Sequence, residues 1–154
     1  MLSSGIDSIV ATWHGLPKDA RERIHVVSLS VEDQVENAIA VNALQRRADV
    51  VVQKSLAEGF GLTVAEAMWK ERPVVGSRVG GIQDQIQDGA SGLLVDPSDL
   101  AGVGRAISSL VSDAGFATAV GHAARKRVRE RFLPPHFLGA HLKVLLRVVD
   151  LERG

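Results

Sequence analysis

Short apolar runs that alternate with segments of helical spacing constrain this chain more than any other feature. Ile24-His25-Val26-Val27-Ser28-Leu29, Asp49-Val50-Val51-Val52-Gln53, Pro73-Val74-Val75-Gly76-Ser77 and Gly92-Leu93-Leu94-Val95 are too short for helices and rich in β-branched or aliphatic residues. Each is predicted to be a buried strand. Helical spacing covers residues 5–14 (Ile6, Ile9, Val10, Trp13) and 35–48 (Val35, Ile39, Leu44, Ala48). It covers 62–71 as well, a short segment 82–87, a helix through Val111 capped by Asp96-Pro97-Ser98-Asp99, and a further helix over 113–132. Pro134-Pro135 breaks the pattern before a last amphipathic stretch, His136 to Leu151. Apolar strands joined by helices imply an α/β fold with a doubly wound parallel sheet, Rossmann-like in kind. Such sheets bind ligands beyond the carboxyl ends of their strands. Here those ends are the stretch after Gln53 and the Gly80-Gly81 turn.

Charge and composition exclude several classes. Eighteen basic and eighteen acidic residues balance to zero, which leaves no electrostatic footprint for nucleic acid or an anionic membrane. The absence of cysteine removes disulfides and thiolate metal sites. The five histidines show no metal-binding spacing, so no metal is expected. No apolar run approaches the roughly 20 residues that span a bilayer, and Met1-Leu2-Ser3-Ser4-Gly5 has no basic region leading into an apolar one, so no secretory signal is expected. A cytoplasmic setting is the expectation. The basic run Arg125-Lys126-Arg127-Val128-Arg129-Glu130-Arg131 is expected to be a solvated helix face. Trp13 and Trp69 are expected to pack, and His25 to lie in the core or at a strand end.

The richest segment is Glu58-Gly59-Phe60-Gly61-Leu62-Thr63-Val64-Ala65-Glu66-Ala67-Met68-Trp69. It is a glycine-bearing loop that enters a helix after a buried strand. The free N–H groups of a first helical turn, with the helix dipole behind them, favour an anion such as a diphosphate. Gly59 and Gly61 let backbone approach a ligand closely. The neighbours of Glu66 are apolar, so its helix is expected to be largely buried and its carboxylate to need a partner. Lys70, one turn on, and the cis-diol of a ribose serve equally well on spacing alone. Glu58 by itself is a solvated loop acid, and gains interest from lying across the glycine turn from Glu66.

Glu58 and Glu66, with seven residues between them, resemble the E-x7-E motif of retaining GT-B glycosyltransferases, and Pro73-Val74-Val75, Gly80-Gly81-Ile82 and 88–95 resemble the segments downstream of that motif. Gln53-Lys54-Ser55-Leu56, Trp69 and Gln85-Ile86 resemble the trehalose synthase and trehalose phosphorylase branch, while Gln83-Asp84 stand where most relatives carry Pro-Glu. The resemblance implies an incomplete C-terminal GT-B domain. Residues 1–133 would form a sugar-nucleotide-binding Rossmann-like domain without its N-terminal part, and 134–154 a crossing helix. It implies that Glu66 holds the ribose hydroxyls of a nucleoside-diphosphate glucose and that Glu58, as the catalytic residue, orients the donor sugar. Backbone around Gly59, Phe60, Gly61, Leu62 and Thr63 would line sugar and diphosphate. Transfer would retain anomeric configuration through positioning and charge stabilisation, with no cofactor or metal. The leaving-group Arg and Lys and the acceptor domain would lie outside this chain, on a missing domain or a separate chain. The isolated chain is then expected to be inactive. The alternative is a truncated, non-catalytic nucleotide-sugar-binding or interaction module. An undocked final helix is expected to expose Phe137, Leu138, Leu142 and Leu145 and favour a homo-oligomer.

Overall fold

The structure, a computed structural model, describes residues 3–29 and 32–133. The chain divides into two compact units, Met1–Ala40 and Val41–Gly154. The expected crossing helix over 136–151, with its exposed apolar residues, lies outside the described residues, as does the whole of 134–154.

In the first unit, α1 (Ser3–His14) is followed by α2 (Lys18–Arg21), with Pro17 at the N-cap of α2. Trp13 Nε1 donates to the Ile24 carbonyl at 3.0 Å, and the Arg21 guanidinium lies 5.7 Å from the Trp13 ring centre. Residues 24–29 are not a strand, contrary to expectation. A strand exists only through a lateral ladder. Among the described residues no backbone group pairs with 25–29. His25 is correspondingly exposed rather than a core residue. Helix α3 (Gln34–Arg47) runs across the division between the units.

The second unit carries a three-stranded parallel sheet in the order β1 (Val51–Gln53), β2 (Val74–Ser77), β3 (Leu93–Val95). Val52 stands opposite Val75, and Gly76 opposite Leu94. Among the described residues there are therefore three strands where four apolar runs were read. The crossovers are α4 (Leu62–Trp69) and α5 (Gly80–Gln85), followed by α6 (Leu100–Ser112) and α7 (Ala114–Arg131). Helix α5 includes Gly80 and Gly81, which the sequence assigned to a preceding turn.

Strand alternation splits the core in two. Val74 of β2 packs with Val64, Ala67 and Met68 of α4, Ile82 of α5, Ile86 just beyond it, and Ala124 and Val128 of α7. Val75, on the opposite face, packs with Leu110 of α6 and Val120 of α7. Both faces of β2 are covered, which is why it reads as an unbroken apolar run. Asp99 and Asp113 cap α6 and α7, accepting from Gly102 N at 2.7 Å and Phe116 N at 2.9 Å.

Candidate functional site

Because β1 and β2 are parallel, the loops leaving their carboxyl ends emerge at the same sheet edge. The first runs from Lys54 to Gly61 into α4. The second, Arg78-Val79, leads into α5. Their backbones touch. Gly81 N lies 3.0 Å from the Gly59 carbonyl and 3.3 Å from that of Glu58. A Cβ on Gly80 would stand 1.8 Å from the Glu58 oxygen, so only glycine fits there. The two glycine-bearing segments singled out in the sequence are thus one constructed edge.

Gly61 caps α4 in the left-handed region, at φ 80°, and no side chain caps the helix. Among the described residues, no group accepts a hydrogen bond from the backbone N–H of Leu62 or Thr63. Those donors, with the dipole of α4 behind them, remain open to an anion. Phe60 is partly exposed and its ring meets Phe132 edge-on at 6.1 Å. Glu58 is half-buried, with its Cγ near Gly61, 3.4 Å from where a Cβ would sit.

Glu66 departs from expectation. Helix α4 is not buried all round. Val64, Ala67 and Met68 face the core, whereas Leu62, Thr63, Glu66 and Trp69 share the solvent face, Leu62 at 69% exposure. The Glu66 carboxylate is exposed, so no desolvation cost demands a partner. Nor does Lys70 supply one. Its Nζ donates to Gln45 Oε1 at 2.6 Å. Among the described residues nothing bonds the Glu66 carboxylate, and it stands free on the first two turns of α4.

The basic run is also more than a solvated face. Arg125 bonds Glu71 at 2.9 Å and lies 5.1 Å from the Trp69 ring centre. Arg127, half-buried, donates from Nε to the Gln85 carbonyl at 2.5 Å and from Nη2 to that of Asp84 at 2.8 Å. It thereby ties off the end of α5. His122 reaches Glu71 at 3.2 Å, and no metal-holding cluster of His, Asp and Glu exists among the described residues.

Two residues were missed by sequence reasoning as parts of this edge. Asp88 accepts from Leu94 N at 2.9 Å and pairs with Arg78 at 2.5 Å, joining the turn after α5 to β3. Burial works against its ionisation but is outweighed by those two partners, so its carboxyl sits below the usual range. Gln85 is fully buried and donates from Nε2 to the Phe60 carbonyl, with the Gly61 carbonyl 3.4 Å away. The signal was present. Ile82, Gln85 and Ile86 have i, i+3, i+4 spacing, which puts a polar residue on an apolar face.

Residues 17–127 match the family model for glycosyl transferases group 1. A trehalose synthase of Rubrobacter xylanophilus is 48% identical over 114 residues, 74% of this chain and 27% of that protein. The chain thus spans about a quarter of the length of such curated relatives. The solved structure of sucrose-phosphate synthase from Thermosynechococcus elongatus aligns with TM-score 0.70 and 29% identity, over 94% of this chain and 34% of that one. Anabaena HepE in complex with UDP-glucose aligns with TM-score 0.58 and 26% identity, over 60% of this chain and 26% of that one. No helix of the described residues is long and apolar enough to cross a membrane.

Proposed function

We propose, for a chain that belongs to the group 1 glycosyl transferases, that the edge built by residues 58–66 and 80–85 binds the donor of a retaining glucosyl transfer. The donor is a nucleoside-diphosphate glucose. Its diphosphate lies against the unpaired N–H groups of Leu62 and Thr63. Glu66 accepts from the two ribose hydroxyls, and Glu58 accepts from a hydroxyl of the glucose and orients its anomeric carbon. Backbone of Gly59, Phe60 and Gly61 lines the sugar. The chemistry is positioning plus stabilisation of charge on the leaving diphosphate, without metal or cofactor. Similarity to trehalose synthases favours a sugar acceptor and a trehalose-type product. The acceptor side of the cleft would come from chain beyond this sequence or from a partner chain. A nucleotide-sugar donor is consistent with a cytoplasmic setting.

The observation that carries this reading is the pairing of an uncapped first turn with a free, exposed carboxylate on the same solvent face of α4. Of the two carboxylates in the motif, Glu66 is the exposed one, and it has no protein partner among the described residues. The HepE complex with UDP-glucose supports the donor class.

Isothermal titration with UDP-glucose, ADP-glucose and GDP-glucose tests it, with Glu66→Ala as the comparison. Binding by the wild-type chain and at least tenfold weaker binding by the variant are expected, a loss of about 1.4 kcal/mol or more. Because Glu66 is exposed and unpaired, unfolding stability should stay within about 0.5 kcal/mol. A folded wild-type chain that binds none of the three donors would remove the reading.

A further inference from the structure

We infer that Gln85 is a positioning residue of the donor edge, held in the core to pin the loop that presents the Leu62 and Thr63 amides, and this rests on the donor-site reading above. Its side chain is fully buried between α5 and the 58–61 loop. Nε2 donates to the Phe60 carbonyl and lies 3.4 Å from that of Gly61. These are the two carbonyls immediately before the first turn of α4. Fixing them fixes the peptide planes that carry the N–H groups of Gly61 and Leu62, at the entry to the first turn of α4.

The other half of the amide is the telling part. Oε1 of Gln85 is buried and has no hydrogen-bond partner among the described residues. An orphaned buried acceptor costs stability, which the bond from Nε2 to the Phe60 carbonyl offsets only in part. Ile82 and Ile86 line the same face, so an apolar residue would suit the packing. A glutamine here is a poor choice for stability alone. It is a sound choice if the loop carbonyls must be held in one orientation.

The anchor behind it is equally deliberate. Arg127 grips the backbone carbonyls of Asp84 and Gln85 from α7, so the base of the Gln85 side chain cannot drift. The chain of contacts runs from α7 through Gln85 to the Phe60 and Gly61 carbonyls. Gly80, against the Glu58 oxygen, holds the other end of the same loop. Neither Gln85 nor Arg127 touches the ligand in the proposed pose. They act through the loop.

Two variants separate positioning from packing. Gln85→Met keeps length and fills the space without a donor. The orphaned Oε1 is removed while the Phe60 carbonyl loses its donor, so the expected result is an unfolding midpoint close to that of the wild type. Amide hydrogen exchange over residues 59–63 should rise at least about fivefold while α6 stays unchanged, and affinity for the best nucleoside-diphosphate glucose should fall by a similar factor. Gln85→Glu restores a donor only when protonated, and burial raises its pKa. Its affinity relative to wild type should approach one at pH 5 and fall as the pH rises to 8. Unchanged exchange at 59–63 in folded Gln85→Met, or a uniform loosening of the whole second unit, overturns the inference. A wild-type chain that binds no donor refutes the donor reading instead. The exchange comparison, which needs no ligand, still decides whether Gln85 pins the loop.

Discussion

Replacing Gly80 by alanine is the sharpest perturbation of the donor edge, because its cost can be set against a matched control. Gly80 has φ +43°, and an added Cβ would stand 1.8 Å from the Glu58 carbonyl oxygen. Gly89 has φ +75°, with nothing within 4 Å of the same position. Alanine in the left-handed region costs about 1–2 kcal/mol at either site, offset by about 0.4–1 kcal/mol from the stiffer unfolded chain. Gly89→Ala should therefore lose about 1 kcal/mol. Gly80→Ala must in addition move the 58–61 loop away by more than an ångström, at about 1–3 kcal/mol for overpacking. That movement breaks the Gly81 N–H contacts to Glu58 and Gly59, about 1 kcal/mol more. The total is about 3–5 kcal/mol, a large part of the 5–15 kcal/mol typical of a whole domain. Urea unfolding followed by circular dichroism measures both variants on one scale. Titration with nucleoside-diphosphate glucose should show Gly89→Ala binding like the wild type, and Gly80→Ala weakened wherever it remains folded. A Gly80→Ala stability within about 0.5 kcal/mol of Gly89→Ala would refute the claim that backbone contact between the two loops builds this edge.

Two further outcomes test the scaffold behind the site. The Arg125 hydrogen bond is the main reason the Glu71 carboxyl titrates below the ordinary value of 4.5, with slight desolvation pulling the other way and His122 adding to the attraction. A carboxyl depressed in the folded state stabilises above its unfolded pKa and loses that contribution as pH falls through the folded one. Glu71→Gln should thus melt lower than wild type at pH 7 and match it in acid, and melting curves with a constant offset across the range would contradict the pairing. Met68 is fully buried between α4, β2 and α7. Met68→Ala should cost about 2–5 kcal/mol in chemical denaturation, and a loss under 1 kcal/mol would mean that this core collapses around the gap.

The sheet was legible because a parallel strand covered on both faces has no reason to alternate. Val74-Val75 shows the rule at work, with its two side chains entering opposite clusters. The same reasoning misread residues 24–29, whose β-branched composition matches that of a strand. Composition reports which side chains prefer burial and a pleated backbone. It does not report whether a second strand lies alongside to complete the ladder, which is a property of the rest of the fold. The α5 start was misplaced for a related reason. Gly80-Gly81 reads as a turn, yet here the glycines are required by the Glu58 and Gly59 carbonyls pressed against them, and the helix simply begins there.

The site poses the harder case, since the two residues that matter most to its construction point in opposite directions in the sequence. Glu66 attracted notice because apolar neighbours implied burial and burial implied a partner. In the structure those neighbours divide between two faces, and Glu66 lies with Leu62 and Trp69 on the outer one. Its interest then rests on its surroundings in space, the uncapped turn of α4, and on having no protein partner among the described residues. Gln85 was named only within the Gln85-Ile86 resemblance and was given no structural role. Yet it is the polar group taken out of water, and so the one whose presence needs a reason. In a shallow site at a sheet edge, ligand-facing groups stay exposed, where desolvation arguments have no grip. The buried polar groups beneath them hold the loops in shape. Desolvation reasoning from sequence is therefore better aimed at the supporting layer, where polar residues interrupt an apolar face, than at the residues that meet the ligand.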